Sequence, residues 1–432
     1  MKLFFVFLIL SWACQGFSIL TKAESIETLR RQGIRWKQTE LLSKDAEMTL
    51  AMAKSALSPH LEIGARELAS RADLTKYGFA DPGPLKIVTF GNVFIEGEVS
   101  LFNKPISFRE EAARTNIELQ KENTQQYQND LSMAMLLTYV NCQRLTERVK
   151  VFQKNLERDR QIQDMAASKV KAGVGLETDL LRAKGIVGFD HLRKIDATGD
   201  LVKCRKDLAN ILGLPDLKGD IEPLKFDPLL IDRSDPFMKT GIDDRPDVRA
   251  SLLTAQAAKS LKQAARAESW PTIQLLGEVG YGGSNVVFSS GGSVLGAVGL
   301  QIKMPLWSGG YFTAKEEQAK VNLTKAELQA AQVRIEAEGQ IQAAVDKLNI
   351  TKDAVELAEE QAHLAQEELK ITQHRFKSGA SSGPDLATSQ NNLSNVLLNQ
   401  IDVISGYETT KINYYRTISE IDTYIQKNSL IQ

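Results

Sequence analysis

Two periodicities alternate along this chain. Residues from about 25 to 57 carry a mixed-polarity helical pattern that ends at Ser58-Pro59. Pro59 lacks an amide donor and pushes Ser58 out of helical geometry, so the element changes there. Leu61, Ile63 and Ala65 then alternate with His60, Glu62, Gly64 and Arg66, a strand with one apolar face. After a loop containing Asp81-Pro-Gly-Pro84, Val93, Ile95, Val99 and Leu101 alternate with Phe94, Glu96, Glu98 and Ser100. From about Ile106 to Ala172 there is no Pro and no Gly, only a polar helical pattern. At ~1.5 Å per residue it predicts a rod of roughly 100 Å, which needs other long helices beside it. A partner helix runs from the turn at Gly173 to Gly213-Leu-Pro215, and Gly185, Gly188 and Gly199 in it predict close helix contacts or a bend.

A Pro-rich linker, residues 214–243, separates this half from a second one of the same order. Asp244-Arg-Pro-Asp247 predicts a helix capped by Asp244, ending at Trp270-Pro271. One strand follows with Ile273, Leu275, Val279 and Tyr281 on one face, and another with Val294, Val298, Leu300, Ile302 and Met304, joined by a Gly/Ser-rich loop. Pro305-Leu-Trp-Ser-Gly-Gly310 leads into a long helix, about 312–377, whose apolar seam runs Val345, Leu348, Val355, Ala358, Ala362, Ala365, Leu369. It stops at Gly379, and Ser382 with Asp385 three residues on reads as the cap of the last long helix. At an offset of 206, Glu110-Glu111 match Glu316-Glu317, Gly173 matches Gly379, and Asp179-Leu180 match Asp385-Leu386. The chain is a tandem duplication of helix, two strands and a long helical hairpin.

Charge is balanced, 53 Lys plus Arg against 54 Asp plus Glu, which gives no basic face for nucleic acid. Lys2 followed by the apolar run Leu3 to Ala13 reads as a secretory signal too short to span a bilayer. Two processing points compete: after Thr21-Lys22-Ala23, which gives a signal peptide 1–23, or at Ser11-Trp-Ala-Cys14, an imperfect lipobox that would leave Cys14 lipidated. Cys142 and Cys204 lie 31 residues on either side of Gly173, at equal height in a hairpin turning there. A disulfide forms only if both face the shared seam; two buried free thiols is the reading preferred here. His60, His191, His363 and His374 are scattered, so no metal site and no cofactor is expected.

Strands of about ten residues with one apolar and one polar face have the length of membrane-barrel strands. Four cannot close a barrel, and open edges are not tolerated in hydrocarbon, so such a chain must assemble. Trp270 and Trp307 lie just outside the second-copy strands at one end, as an interfacial aromatic girdle would require, although Trp is also commonly buried in soluble cores.

Arg245-Pro-Asp247, Trp270-Pro271, Pro305 to Gly310, Phe376-Lys-Ser-Gly379 with Asp385, and Gly213-Leu-Pro215, in this order and spacing, resemble the TolC-type outer-membrane efflux proteins from about residue 25 to 421. The resemblance implies a mainly α fold with a membrane β-barrel portion. Its parts are two repeats (24–213 and 244–421), an equatorial linker (214–243) and a tail (422–432). It further implies a homotrimer whose twelve strands complete one barrel in outer-membrane lipid and whose helices continue it as a periplasmic tunnel. The function implied is a passive export duct for small toxic molecules, metal ions or secreted protein, joined to a periplasmic adaptor and an inner-membrane pump of the resistance-nodulation or ABC type. Gly173, Asp179, Gly379, Ser382 and Asp385 would then stand at the periplasmic tips, with Asp385 either an acidic ring at the constriction or only the helix cap. Thr388 and Ser381 depart from the family's gating network, and Leu176 replaces the usual cap residue in the first copy. An adaptor would need one hairpin and compact β-domains, and an enzyme would need a nucleophile, an acid pair or a ligand cluster that cannot be assembled from these residues.

Overall fold

The computed structural model describes residues 19–72, 86–217, 219–229, 241–284 and 292–429. Cys14, the Asp81–Pro84 loop and parts of the linker and of the Gly/Ser-rich loop lie outside them. The helices are α1 (Lys22–Gln32), α2 (Ile34–Ser55), α3 (Lys104–Lys171), α4 (Glu177–Leu212), α5 (Pro246–Ala267), α6 (Tyr311–Lys377), α7 (Gly383–Thr417) and α8 (Ile421–Ser429). The strands are β1 (His60–Ala72), β2 (Lys86–Phe102), β3 (Thr272–Ser284) and β4 (Ser293–Lys303).

Three local expectations are corrected. The first helical stretch is two helices, because Gly33 turns extended (ψ 117°) and donates to Leu29 O at 2.9 Å. The helix expected to be capped by Asp244 starts at Pro246, where the missing amide costs nothing. Asp247 turns to Arg245 and to the Val248 N–H instead. Helix α4 runs unbroken through Gly185, Gly188 and Gly199, and a Cβ at any of them would find open space within the protomer.

The chain divides into two compact units, and neither follows the sequence repeats. One comprises residues 42–122 and 249–332. It holds a single antiparallel sheet in the order β1-β2-β3-β4, so both copies contribute one hairpin to one sheet. Glu268 holds this unit's helices together by accepting Arg109 and, at 2.6 Å, Lys315.

The other unit comprises residues 1–41, 123–248 and 333–432. Its core packs Met135, Leu136 and Tyr139 of α3 against Leu208 and Leu212 of α4 and Tyr415 and Tyr424 of α7 and α8. The seam expected in α6 is buried, from Val345 and Val355 at 0% exposure to Leu369 at 4%. Cys142 and Cys204 are joined in a disulfide with Cα atoms 5.6 Å apart, not left as free thiols, because both side chains turn into the α3/α4 seam. The start of α1 is fastened into the same core. Thr21 and Glu24 form a capping box, and the Leu20 N–H donates to Asp220 O at 2.8 Å while its carbonyl accepts the Tyr139 hydroxyl. The Lys22 ammonium is buried against Glu408 (3.1 Å) and the Tyr424 hydroxyl (2.9 Å). Lys411, 3.5 Å from Glu408 and 2.8 Å from Asp227, completes the cluster, so each buried charge has a partner.

Candidate functional site

Register decides what the sheet can do. Residues directly opposite in an antiparallel pair share a face. Ile63 pairs with Ile95, Ile95 with Val279, Leu275 with Leu300 and Tyr281 with Val294, so the apolar positions of all four strands form one surface. That surface is bare: Leu61 and Ile63 are 77% exposed, and Val298 is 79% exposed. Contiguous apolar patches of this extent mark an interface with lipid or protein.

The opposite face is polar. Glu62 faces Glu96, and Glu96 faces Glu278, which makes one rung of three carboxylates across three strands. His60 faces Glu98 one rung along. Directly opposed like charges destabilise a sheet by a few tenths of a kcal/mol each. Such a rung persists where water and counter-ions can reach it. Towards the far end of β1 the face is sealed by Phe94, 7% exposed, beneath the Arg66 guanidinium at 4.6 Å and between Gly64 and Gly280 on the neighbouring strands. β1 and β4 are the sheet's edges. Trp270 and Trp307, outside β3 and β4, are 43% and 89% exposed.

The hairpin turns belong to the helical unit. Gly173 and Gly379 adopt left-handed conformations (φ 74° and 79°), which only glycine takes without strain. At the second turn the Ser382 hydroxyl donates to Asp385 Oδ2 at 2.7 Å, the Ser382 N–H at 3.0 Å, and Ser381 at 3.3 Å. These hydrogen bonds hold the exposed Asp385 carboxyl below its ordinary range, so it is charged as a cap needs. Leu176, at the matching place in the first turn, makes no side-chain cap.

The two turns touch through the predicted tip residue Asp179 and through Lys169 and Gly383, which sequence reasoning did not single out. Lys169 of α3 donates to Phe376 O at 2.8 Å and stacks 4.2 Å above the Phe376 ring. Asp179 approaches Gly383 so closely that a Cβ there would stand 2.5 Å from its carboxylate oxygen. Asp179 also pairs with Arg182 at 3.5 Å. Among the described residues no group of three His, Cys, Asp or Glu could hold a metal ion, and no helix is long and apolar enough to cross a membrane. Among the exposed apolar residues of the helical unit are Ile350, Leu357, Leu364 and Ile371 on α6, spaced by seven, and Leu181, Leu192, Ile195 and Val202 on α4.

The sequence profile described as "Outer membrane efflux protein" matches residues 241–417. Nodulation protein T of Rhizobium leguminosarum bv. trifolii is 26% identical over 266 residues, 60% of this chain and 56% of that protein's length. The fold matches that of the outer membrane protein VceC of Vibrio cholerae with a TM-score of 0.76, at 18% identity over 92% of this chain and 96% of that one. It matches CusC with a TM-score of 0.80, at 15% identity over 93% of this chain and 92% of that one. The CmeC outer membrane channel of Campylobacter jejuni gives a TM-score of 0.78, at 17% identity over 94% of this chain and 89% of that one. The profile is matched by the second repeat, residues 241–417, and the fold of these outer-membrane channels is shared over nearly the whole chain, both repeats included.

Proposed function

We propose that three copies of this chain close one twelve-stranded barrel in the outer membrane and extend it into the periplasm as a helical duct for export. The observation that carries this reading is the sheet, with a bare apolar face, a polar face and two open edges. In hydrocarbon each edge needs a partner, and β4 of one copy against β1 of the next supplies it at every junction of a closed ring. The seven-residue apolar stripe on α6 gives neighbouring copies a coiled-coil contact between their helical units. Export draws on a periplasmic adaptor at the hairpin turns and on an inner-membrane pump, with small toxic molecules, metal ions or secreted protein as cargo. The chain itself contributes a passage and no bond chemistry.

In that ring the rung of Glu62, Glu96 and Glu278 faces the lumen in three copies, and a ring of carboxylates draws cations. Purified protein reconstituted in planar bilayers is expected to pass cations in preference to anions under a salt gradient. Glu96→Gln together with Glu278→Gln should move the reversal potential towards zero. Absence of conductance steps would contradict the duct, and steps with an unaltered reversal potential would remove the rung from the selectivity.

Processing falls at the earlier of the two candidate points. Cleavage after Ala23 would take away Lys22, Thr21 and Leu20, and with them the nearer of the two cations beside Glu408, the α1 cap and the acceptor for Tyr139. Truncating one member of a buried ion pair costs ~3–5 kcal/mol. Mass analysis of the N-terminal peptide of protein extracted from membranes should show a chain that begins at Cys14. A chain beginning at Glu24 would contradict this.

A further inference from the structure

Between the two hairpins, a few turns from their tips, the seam of α3 contains a charge. Asn155, Asp159, Ile162 and Ala166 follow one another at spacings of four, three and four, the face that α3 turns inward. Asp159 is 2% exposed. Gln390 of α7, from the other hairpin, donates its amide to Asp159 Oδ1. The second oxygen, Oδ2, is buried and meets no donor among the described groups. Asp190 of α4, 6% exposed, lies within hydrogen-bonding reach of the Asp159 carboxyl. Two buried carboxylates this close cannot both be charged without a strong penalty, and an orphaned carboxylate oxygen next to a carboxylate is where a shared proton sits.

The surrounding charges do not remove that need. On α3, Arg158 lies 3.4 Å from Asp159 Oδ1, on the oxygen that already has a partner. On α4, Arg193 pairs with Asp190 at 3.4 Å, and Arg182, further along the same face, is taken by Asp179. α7 presents Gln390, and α6 presents Phe376 to the same small cavity. Above the pair the seam is neutral, with Asn155 donating to Ser394 at 2.8 Å.

We propose that Asp159 and Asp190 form a proton-binding site, and that the proton they share holds the first hairpin against α7 near the tip. With the proton bound, Asp159 donates through Oδ2 to Asp190 while Oδ1 keeps Gln390, and all three helices are joined. When the proton leaves, two like charges face each other in a dry seam, and separation of α3 and α4 from α7 relieves them. Burial, and then the hydrogen bond and charge of Asp190, push the Asp159 carboxyl up to about 6. A carboxyl raised in the folded state takes up protons on folding, so this contact is strongest at low pH. It weakens as pH rises from the unfolded value of about 4 through about 6. The site lies within one protomer and does not depend on how many copies assemble.

Amide hydrogen exchange on the purified full chain in detergent, corrected for the intrinsic pH dependence of exchange, reads this directly. In the wild type, residues 155–166 and 386–394 should exchange at least several-fold faster at pH 7.5 than at pH 5. Asp159→Asn keeps an acceptor for Gln390 and a permanent donor for Asp190, so its two rates should coincide. Asp190→Asn removes the opposing charge and should move the wild-type midpoint to lower pH, and it serves alone if Asp159→Asn does not fold. Equal wild-type rates at the two pH values, a wild-type response surviving in Asp159→Asn, or an unmoved midpoint in Asp190→Asn would each overturn the proposal.

Discussion

Val298→Arg is expected to abolish assembly in the outer membrane while leaving the helical unit folded. Val298 is the sixth of the eleven residues of β4, 79% exposed, on the apolar face beside Gly277. In a barrel it stands near mid-bilayer, where an arginine costs ~2–4 kcal/mol on the lipid side. Three copies carry the charge at one level, so the assembly bears roughly 6–12 kcal/mol by simple addition. Membrane fractionation followed by sizing of the detergent extract checks this, with Glu278→Arg as the comparison. Glu278 lies on the opposite face, and an arginine there meets Glu96 and water and should be inserted normally. Equal loss in both variants would mean that the apolar face does not meet lipid.

Cys142→Ala is expected to lower the stability of the helical unit by ~4 kcal/mol under oxidising conditions, the chain-entropy value for a loop of 62 residues. The bridge closes the upper part of the α3/α4 hairpin, next to the core of Tyr139 and Leu208. Chemical denaturation of the purified protein should give the same midpoint for the variant as for the wild type in strong reductant. A wild-type midpoint insensitive to reductant would contradict the bridge.

Much of this fold was legible because long elements carry their own period. The α6 seam, the turns at Gly173 and Gly379, the Ser382–Asp385 cap and the four alternating strands all follow from spacings inside single segments. What escaped depends on pairing between segments. The glutamate rung needs the register of β1 on β2 and of β2 on β3, and a slip of one residue would send it to the other face. The cysteines' equal height was readable, but whether both turned into the seam depended on the rotation of two helices about their axes. Asp159 left a usable signal, a charged residue in step with Ile162 and Ala166, that the periodicity could have singled out. Lys22 did not. Next to a signal sequence, a lysine in a helix's first turn reads as solvated, and only Glu408 and Tyr424, almost four hundred residues on, make it a core residue.

The departures near the tip fit together in physical terms. At the second turn Ser381 donates to Asp385 and Thr388 to Pro384 O, and Asp385 is occupied by its cap. Contact between the hairpins is made elsewhere, by Lys169 on Phe376 and by Gln390 on Asp159.

The central claim is that three copies of this chain form one outer-membrane body. Native mass measurement of the detergent-extracted outer-membrane fraction tests it most directly. The account predicts a particle of three protomers that dissociates on heating, and a single protomer recovered from the periplasmic fraction would contradict it.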